Sequence, residues 1–198
     1  MRSFKMTRRT WIPALAVIMV PLLALGLYLG YLQLSGNFHI AADGELYRSA
    51  QPTAVQLRNY AKTYGIKTVL NLRGSHPNSG WYDDEVAEAR LLGITHVDFR
   101  MSARKELTQA EVDRLVAILR QSPKPILVHC QSGADRSGLV SAIFLREIDG
   151  VDVETAGAQI SLYYGHIGVP YFSSTYAMDR TWRKLEQIYR DERKGGKL

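Results

Sequence analysis

The stretch that most constrains this chain is Ile126-Leu127-Val128-His129-Cys130-Gln131-Ser132-Gly133-Ala134-Asp135-Arg136-Ser137-Gly138. It opens as a short apolar run, the pattern of a strand buried in a parallel sheet. It then passes glycines at 133 and 138 and enters the apolar segment Leu139–Leu145, which reads as a helix. A strand that feeds a helix through a tight loop gathers backbone N–H groups and a helix N-terminus about one point, and such a point binds an oxyanion such as phosphate. The single cysteine of the chain stands at the mouth of this loop, with an arginine six residues on.

Those residue types suit one chemistry. A free thiol titrates near about 8.5, and a helix N-terminus with a nearby cation lowers that by several units. A drop of about three units is worth ~4 kcal/mol of preference for the thiolate. Arg136 offers a planar fork for two phosphate oxygens. Ser137 can donate to the sulfur and ease its departure. Gln131, Ser132, Gly133, Ala134, Asp135 and Arg136 form the phosphate-binding run, mainly through their amides, and His129 at the strand end holds the loop. The reading is a cysteine nucleophile that accepts a phosphoryl group and loses it to water. The competing reading is a buried structural cysteine with a surface arginine.

The pattern His129-Cys130-x5-Arg136-Ser137 resembles the signature loop of cysteine-dependent protein tyrosine and dual-specificity phosphatases. A rhodanese-like sulfurtransferase also carries a cysteine loop between strand and helix, but the Arg-Ser ending fits it less well. The run Tyr47-Arg48-Ser49-Ala50-Gln51-Pro52 is similar to the opening segment of atypical dual-specificity phosphatases, so the resemblance spans about residues 38 to 180. It implies a tyrosine phosphatase-like fold and catalysis without metal or other cofactor. It also suggests the general acid. A loop ending Asp-Arg-Ser is similar to a branch, including some secreted bacterial phosphatases and the myotubularins, in which the loop aspartate serves as acid. That points to Asp135. Asp98, about thirty residues before the cysteine, and Glu106, in the following loop, are the alternatives. Asp135 could instead be an ion-pair partner that orients Arg136.

The amino terminus is the second strong signal. Trp11–Leu34 carries no charged residue and is long enough to span a bilayer. Trp11, Tyr28 and Tyr31 lie near its ends, where interfacial anchors belong. The four cations before it (Arg2, Lys5, Arg8, Arg9) place the short tail of residues 1–10 in the cytoplasm and the body on the extracytoplasmic (periplasmic) side. No clear small-x-small cleavage site follows the apolar run, so residues 11–34 read as an uncleaved transmembrane anchor. A cleaved signal peptide and secretion is the alternative. The net charge of +6 owes much to that tail, since the rest holds 21 basic against 19 acidic residues. A nearly neutral body requires no nucleic-acid partner, and one cysteine excludes an internal disulfide.

Between anchor and signature loop, Phe38–Ser49 reads as two short strands about an Asp-Gly turn. Arg48 could reach an anionic site or sit exposed at a strand edge. Thr53-Ala54-Val55-Gln56 and Thr108-Gln109-Ala110-Glu111 have the form of capping boxes that open helices. Ile66–Leu72 and Ile94–Met101 read as strands, with a helix over Trp81–Leu92 between them. Arg73, at the carboxyl end of the first, faces the ligand side of a parallel sheet, as a brace for the phosphate loop, a substrate contact or a surface residue. Beyond the signature helix come a helix running through Tyr164, with Tyr163-Tyr164-Gly165-His166 as pocket wall or core, and an amphipathic helix over Thr175–Tyr189. Residues 190–198 read as a disordered tail. The pattern predicts an α/β domain over residues 35–189, a mostly parallel central sheet with helices on both faces, preceded by one transmembrane helix. The partners that follow are a phosphorylated protein (phosphotyrosine, phosphoserine or phosphothreonine) or a membrane-proximal lipid or sugar phosphate. A non-catalytic phosphate-binding module is the other class, although a binder has no need of the thiol.

Overall fold

The computed structural model describes residues 8–195, so part of the basic tail and the last three residues lie outside it. The chain divides at Ser35/Gly36 into two units. The first is a single helix, α1 (Arg8–Leu34), of which Leu15–Leu34 has a mean hydropathy of 2.2, enough in length and composition to cross a membrane.

The second unit holds β1 (His39–Ala42), β2 (Leu46–Ser49), α2 (Ala54–Tyr64), β3 (Thr68–Asn71), α3 (Gly80–Leu91), β4 (Thr95–Asp98), α4 (Gln109–Gln121), β5 (Ile126–His129), α5 (Asp135–Glu147), α6 (Val153–Gly157) and α7 (Tyr176–Lys194). The sheet order is β1-β2-β5-β3-β4. Only β1 runs antiparallel, across the Asp-Gly turn. β5 lies at the centre, pairing Leu46 with Ile126 on one side and Leu70 with Val128 on the other. The fold is thus the mostly parallel α/β sheet that the residue pattern implied.

Strand alternation sorts the core into two faces. Leu46, Leu70, Ile126 and Val128 pack with Val112 and Leu115 of α4 and with α5, α6 and α7. Tyr47, Val69 and Leu127 face Leu57 of α2 and Ala89 of α3. Both capping boxes form, Thr53 with Gln56 and Thr108 with Glu111.

Of the boundaries that differ from the sequence reading, three stand out. β4 ends at Asp98 instead of continuing to Met101: Phe99 N and Met101 N still donate to Asn71 O and Leu72 O, but Met101 O is taken by Arg136 instead of a strand partner. The helix expected through Tyr164 stops at Gly157, which packs against the Trp182 indole, and only a 3₁₀ turn follows at Leu162–Tyr164. α7 continues past Tyr189 to Lys194, where disorder was expected from residue 190, and Arg190 pairs there with Glu154 and Glu186.

Candidate active site

The loop between β5 and α5 is held from outside by its carbonyls. Gln131 O accepts from Gln51 N at 3.3 Å. Ser132 O accepts from Asn37 Nδ2 at 2.9 Å. Gly133 O and Ala134 O both accept from Arg48 Nη2 at 2.9 Å. In a planar trans peptide the N–H points opposite to the C=O, and the single cis bond among the described residues, Lys124–Pro125, lies before the loop. The amides of Ser132, Gly133, Ala134 and Asp135 are therefore turned away from those outer partners, toward the inside of the loop. Gly133 is required at its position: φ is +73° and a Cβ would meet the Ser49–Ala50 backbone at 2.5 Å.

Arg48 was expected at an edge or in the anion site, and it is neither. It is fully buried behind the loop, where its second nitrogen, Nη1, donates to Gln159 O at 2.7 Å and Gln159 Oε1 at 3.0 Å. Burial depresses its pKa to about 10, so it stays a cation at neutral pH. Gly138 lets this guanidinium and Gln159 O approach α5 closely.

Cys130 lies at the base of the loop with 1% of its surface exposed. Burial pushes its pKa up, but Arg136, the Ser137 hydroxyl and the amides of Ser137 and Gly133 together outweigh burial, so the thiol titrates below its ordinary value. Ser137 Oγ is buried and has no nitrogen or oxygen partner competing with the sulfur. Arg136 Nη1 reaches Leu72 O and Met101 O by long contacts of 3.3 and 3.4 Å, and its Nε has no partner. Arg136, Gln131, Arg73, Arg100, Lys105 and Glu106 all line one cleft of about 640 Å³. Arg73 stacks on Trp81, 3.5 Å from the ring centroid, and donates to Gln51 Oε1. Burial and then the neighbouring Arg136 charge lower its pKa. Two guanidiniums side by side favour an anion between them.

His129 is buried at the strand end, its Nε2 3.1 Å from Glu85 Oε2, while His96 Nε2 lies 2.8 Å from the other oxygen. Burial would raise the Glu85 pKa, but the two imidazoles overcome it and hold it at about 2. This acid, which the sequence reading missed, sits against the root of the loop from α3, where its Oε2 also accepts from Gln51 Nε2.

The three acid candidates have different surroundings. Asp98 has both oxygens engaged, by Asn71 Nδ2 at 2.8 Å and Tyr82 OH at 2.6 Å. Glu106 lines the cleft but is paired with Lys184 and Arg180, which lower its pKa. Asp135 opens α5, and its Oδ1 lies 2.7 Å from His166 Nδ1, whose Nε2 in turn lies 2.9 Å from Asp179 Oδ2. It orients through His166 instead of pairing with Arg136, as the competing reading of Asp135 supposed. Desolvation lowers the His166 pKa, and the two carboxylates more than reverse this, so it is raised. His166 was legible only as part of an aromatic run.

A tetrahedral oxyanion in this loop would meet four inward amides, the Arg136 fork and a sulfur beneath it. Among the described residues no group of three or more His, Cys, Asp or Glu side chains is arranged to hold a metal ion.

This fold and loop define the class as a cysteine-dependent phosphatase of the dual-specificity type. The chain belongs to the family described as DSP-PTPase phosphatase fused to NAD+ kinase, whose model matches residues 34–168. No curated protein matches the sequence. Solved structures of similar fold include TpbA from P. aeruginosa (21% identity, TM-score 0.57, 76% of this chain and 85% of that one). Another is the core catalytic domain of the PP-IP phosphatase SIW14 from S. cerevisiae (19% identity, TM-score 0.58, 82% and 94%).

Proposed function

We propose that this protein is a membrane-anchored phosphatase that hydrolyses phosphate monoesters, phosphotyrosine, phosphoserine or phosphothreonine in proteins, through a phosphocysteine intermediate. The observation that carries the reading is the outward fastening of four consecutive loop carbonyls, which leaves four amides to face an anion over Cys130. In the first step the Cys130 thiolate attacks phosphorus, and the phosphorus–oxygen bond to the leaving group breaks. Arg136 and the loop amides hold the three equatorial oxygens, where charge accumulates. Protonation of the departing oxygen is assigned to Asp135, and the contact with His166 fixes where its carboxyl group sits. Water then attacks the phosphocysteine, Asp135 takes up its proton, and the thiolate leaves with help from the Ser137 hydroxyl.

TpbA has been solved in complex with pTyr, which is in keeping with an aryl phosphate substrate. One observation favours a second reading, a lipid or sugar phosphate. The cleft adds Arg73, Arg100 and Lys105 to Arg136, enough cations for a second anionic group on the substrate, and SIW14 is described as a PP-IP phosphatase. We read α1 as an uncleaved anchor with the catalytic unit outside the cytoplasm, on the cation bias before it. Protease added outside the inner membrane should then reach the carboxyl terminus. The activity itself is tested by aryl phosphate hydrolysis with a chelator present. The full-length protein should retain turnover, and Cys130→Ser should lose it. Loss of activity on chelation alone would remove the mechanism.

A further inference from the structure

The segment between the 3₁₀ turn and α7 exposes more apolar surface than a solvated loop needs. Tyr163, Ile167 and Val169 are exposed, Phe172 is 90% exposed and Tyr171 fully so. Tyr171 holds φ at +66°, a costly conformation for an aromatic residue, and its ring is directed wholly outward. The root of this loop is rigid, because His166 is bonded to Asp135 of α5 and to Asp179 of α7. The tip therefore stands out from a fixed base. Beside it is a hollow lined by Arg104, Arg180, Tyr171 and Ser173; Arg180 is paired with Glu106, whereas Arg104 makes no ion pair among the described residues. Aromatic tips beside an unpaired cation are the composition of a group that enters the headgroup boundary of an anionic bilayer.

The chain's own connectivity selects that occupant. Asn37, the second residue of the folded unit, donates to Tyr164 O at 2.9 Å, and the His39 ring lies 5.5 Å from that of Tyr163. The polypeptide thus enters the folded unit beside this loop, only three residues after the apolar helix ends at Leu34.

We propose that the loop of residues 163–172 is an interfacial docking surface that inserts Tyr171 and Phe172 into the lipid headgroup region. The inference rests on α1 being an anchor. By docking there, the loop would hold Asp135, through His166, in register with a substrate presented at the membrane surface.

The test uses full-length protein in vesicles of phosphatidylcholine and phosphatidylglycerol, made with and without brominated acyl chains. Phe172→Trp reports on the loop. Leu91→Trp, at an exposed position on α3 against β4, reports on the opposite edge of the sheet. Emission from Trp11, Trp81 and Trp182 is subtracted with the parent protein. The added Trp at 172 should lose about half its emission to brominated lipid, as expected for a ring at the headgroup boundary, and the one at 91 should lose none. Unquenched emission at 172 from protein that resists alkaline carbonate extraction overturns the docking surface but leaves the anchor standing, and a protein partner or a second copy would then cover the patch. Release of the protein by carbonate overturns the anchor and the docking surface with it.

Discussion

Replacing Arg48 by Met tests whether the loop's shape is imposed from behind. The two side chains are close in length, but Met leaves Gly133 O and Gln159 O without donors in a region closed to water, and leaves Ala134 O with Gly138 N alone. An orphaned buried acceptor costs about 1–3 kcal/mol. Some of that is returned because a guanidinium buried with no carboxylate partner, its pKa pressed to about 10, no longer has to be desolvated. A net loss of ~3 kcal/mol follows, which for a domain of this size lowers Tm by about 6–12 °C. The catalytic effect should be larger than the stability effect alone explains. Once the Gly133 carbonyl is released, the Ala134 amide loses its fixed direction, and a lost oxyanion donor lowers turnover by about 100-fold. The assay pairs thermal melts of full-length protein with aryl phosphate kinetics at a temperature well below both transitions. Arg48→Lys should recover little, since one ammonium cannot reach four acceptors in two directions. An Arg48→Met protein that melts within about 1 °C of the parent and keeps its kcat/KM would refute the argument.

Asp135→Asn should depress turnover far more for poor leaving groups than for good ones, by about 100-fold or more for an alkyl phosphate, since only the former need protonation. Equal losses on both would transfer the role to Glu106 or Asp98, whose Gln and Asn variants should otherwise leave the leaving-group dependence intact. His166→Gln should have a pH-dependent effect on stability. The folded pKa of His166 is raised above 6.5, so its bonds to Asp135 and Asp179 stabilise fully below that pH and fade as pH climbs through the raised value. The Tm gap between parent and variant should therefore shrink from acid to mildly alkaline buffer. A gap that widens would contradict the sign.

Much of the site was legible because it is local in sequence. A strand, two glycines, a cysteine and an arginine within one short run determine where an anion goes, and the capping boxes and the Asp-Gly turn set their own elements. What was not legible is what surrounds the loop. Arg48 meets Gln159 across 111 positions, Asn37 meets Ser132 across 95 and His166 meets Asp135 across 31. No periodicity reveals that a strand arginine will be buried against carbonyls, because its neighbours Leu46 and Tyr47 read as ordinary core. Glu85 was hidden for the same reason, as one acid among several on an amphipathic helix until β4 and β5 brought two imidazoles to it. The early end of α6 had a tertiary cause too, with Trp182 over Gly157 and Gln159 drawn to Arg48.

The account depends on the Cys130 sulfur becoming bonded to phosphorus. Acid quenching of the full-length protein during turnover of an aryl phosphate, followed by mass analysis of its peptides, measures that bond. The prediction is one phosphoryl group on the peptide carrying Cys130, absent from Cys130→Ser, which should not turn over. Sustained turnover by Cys130→Ser, or a phosphoryl group on any other residue, would contradict it.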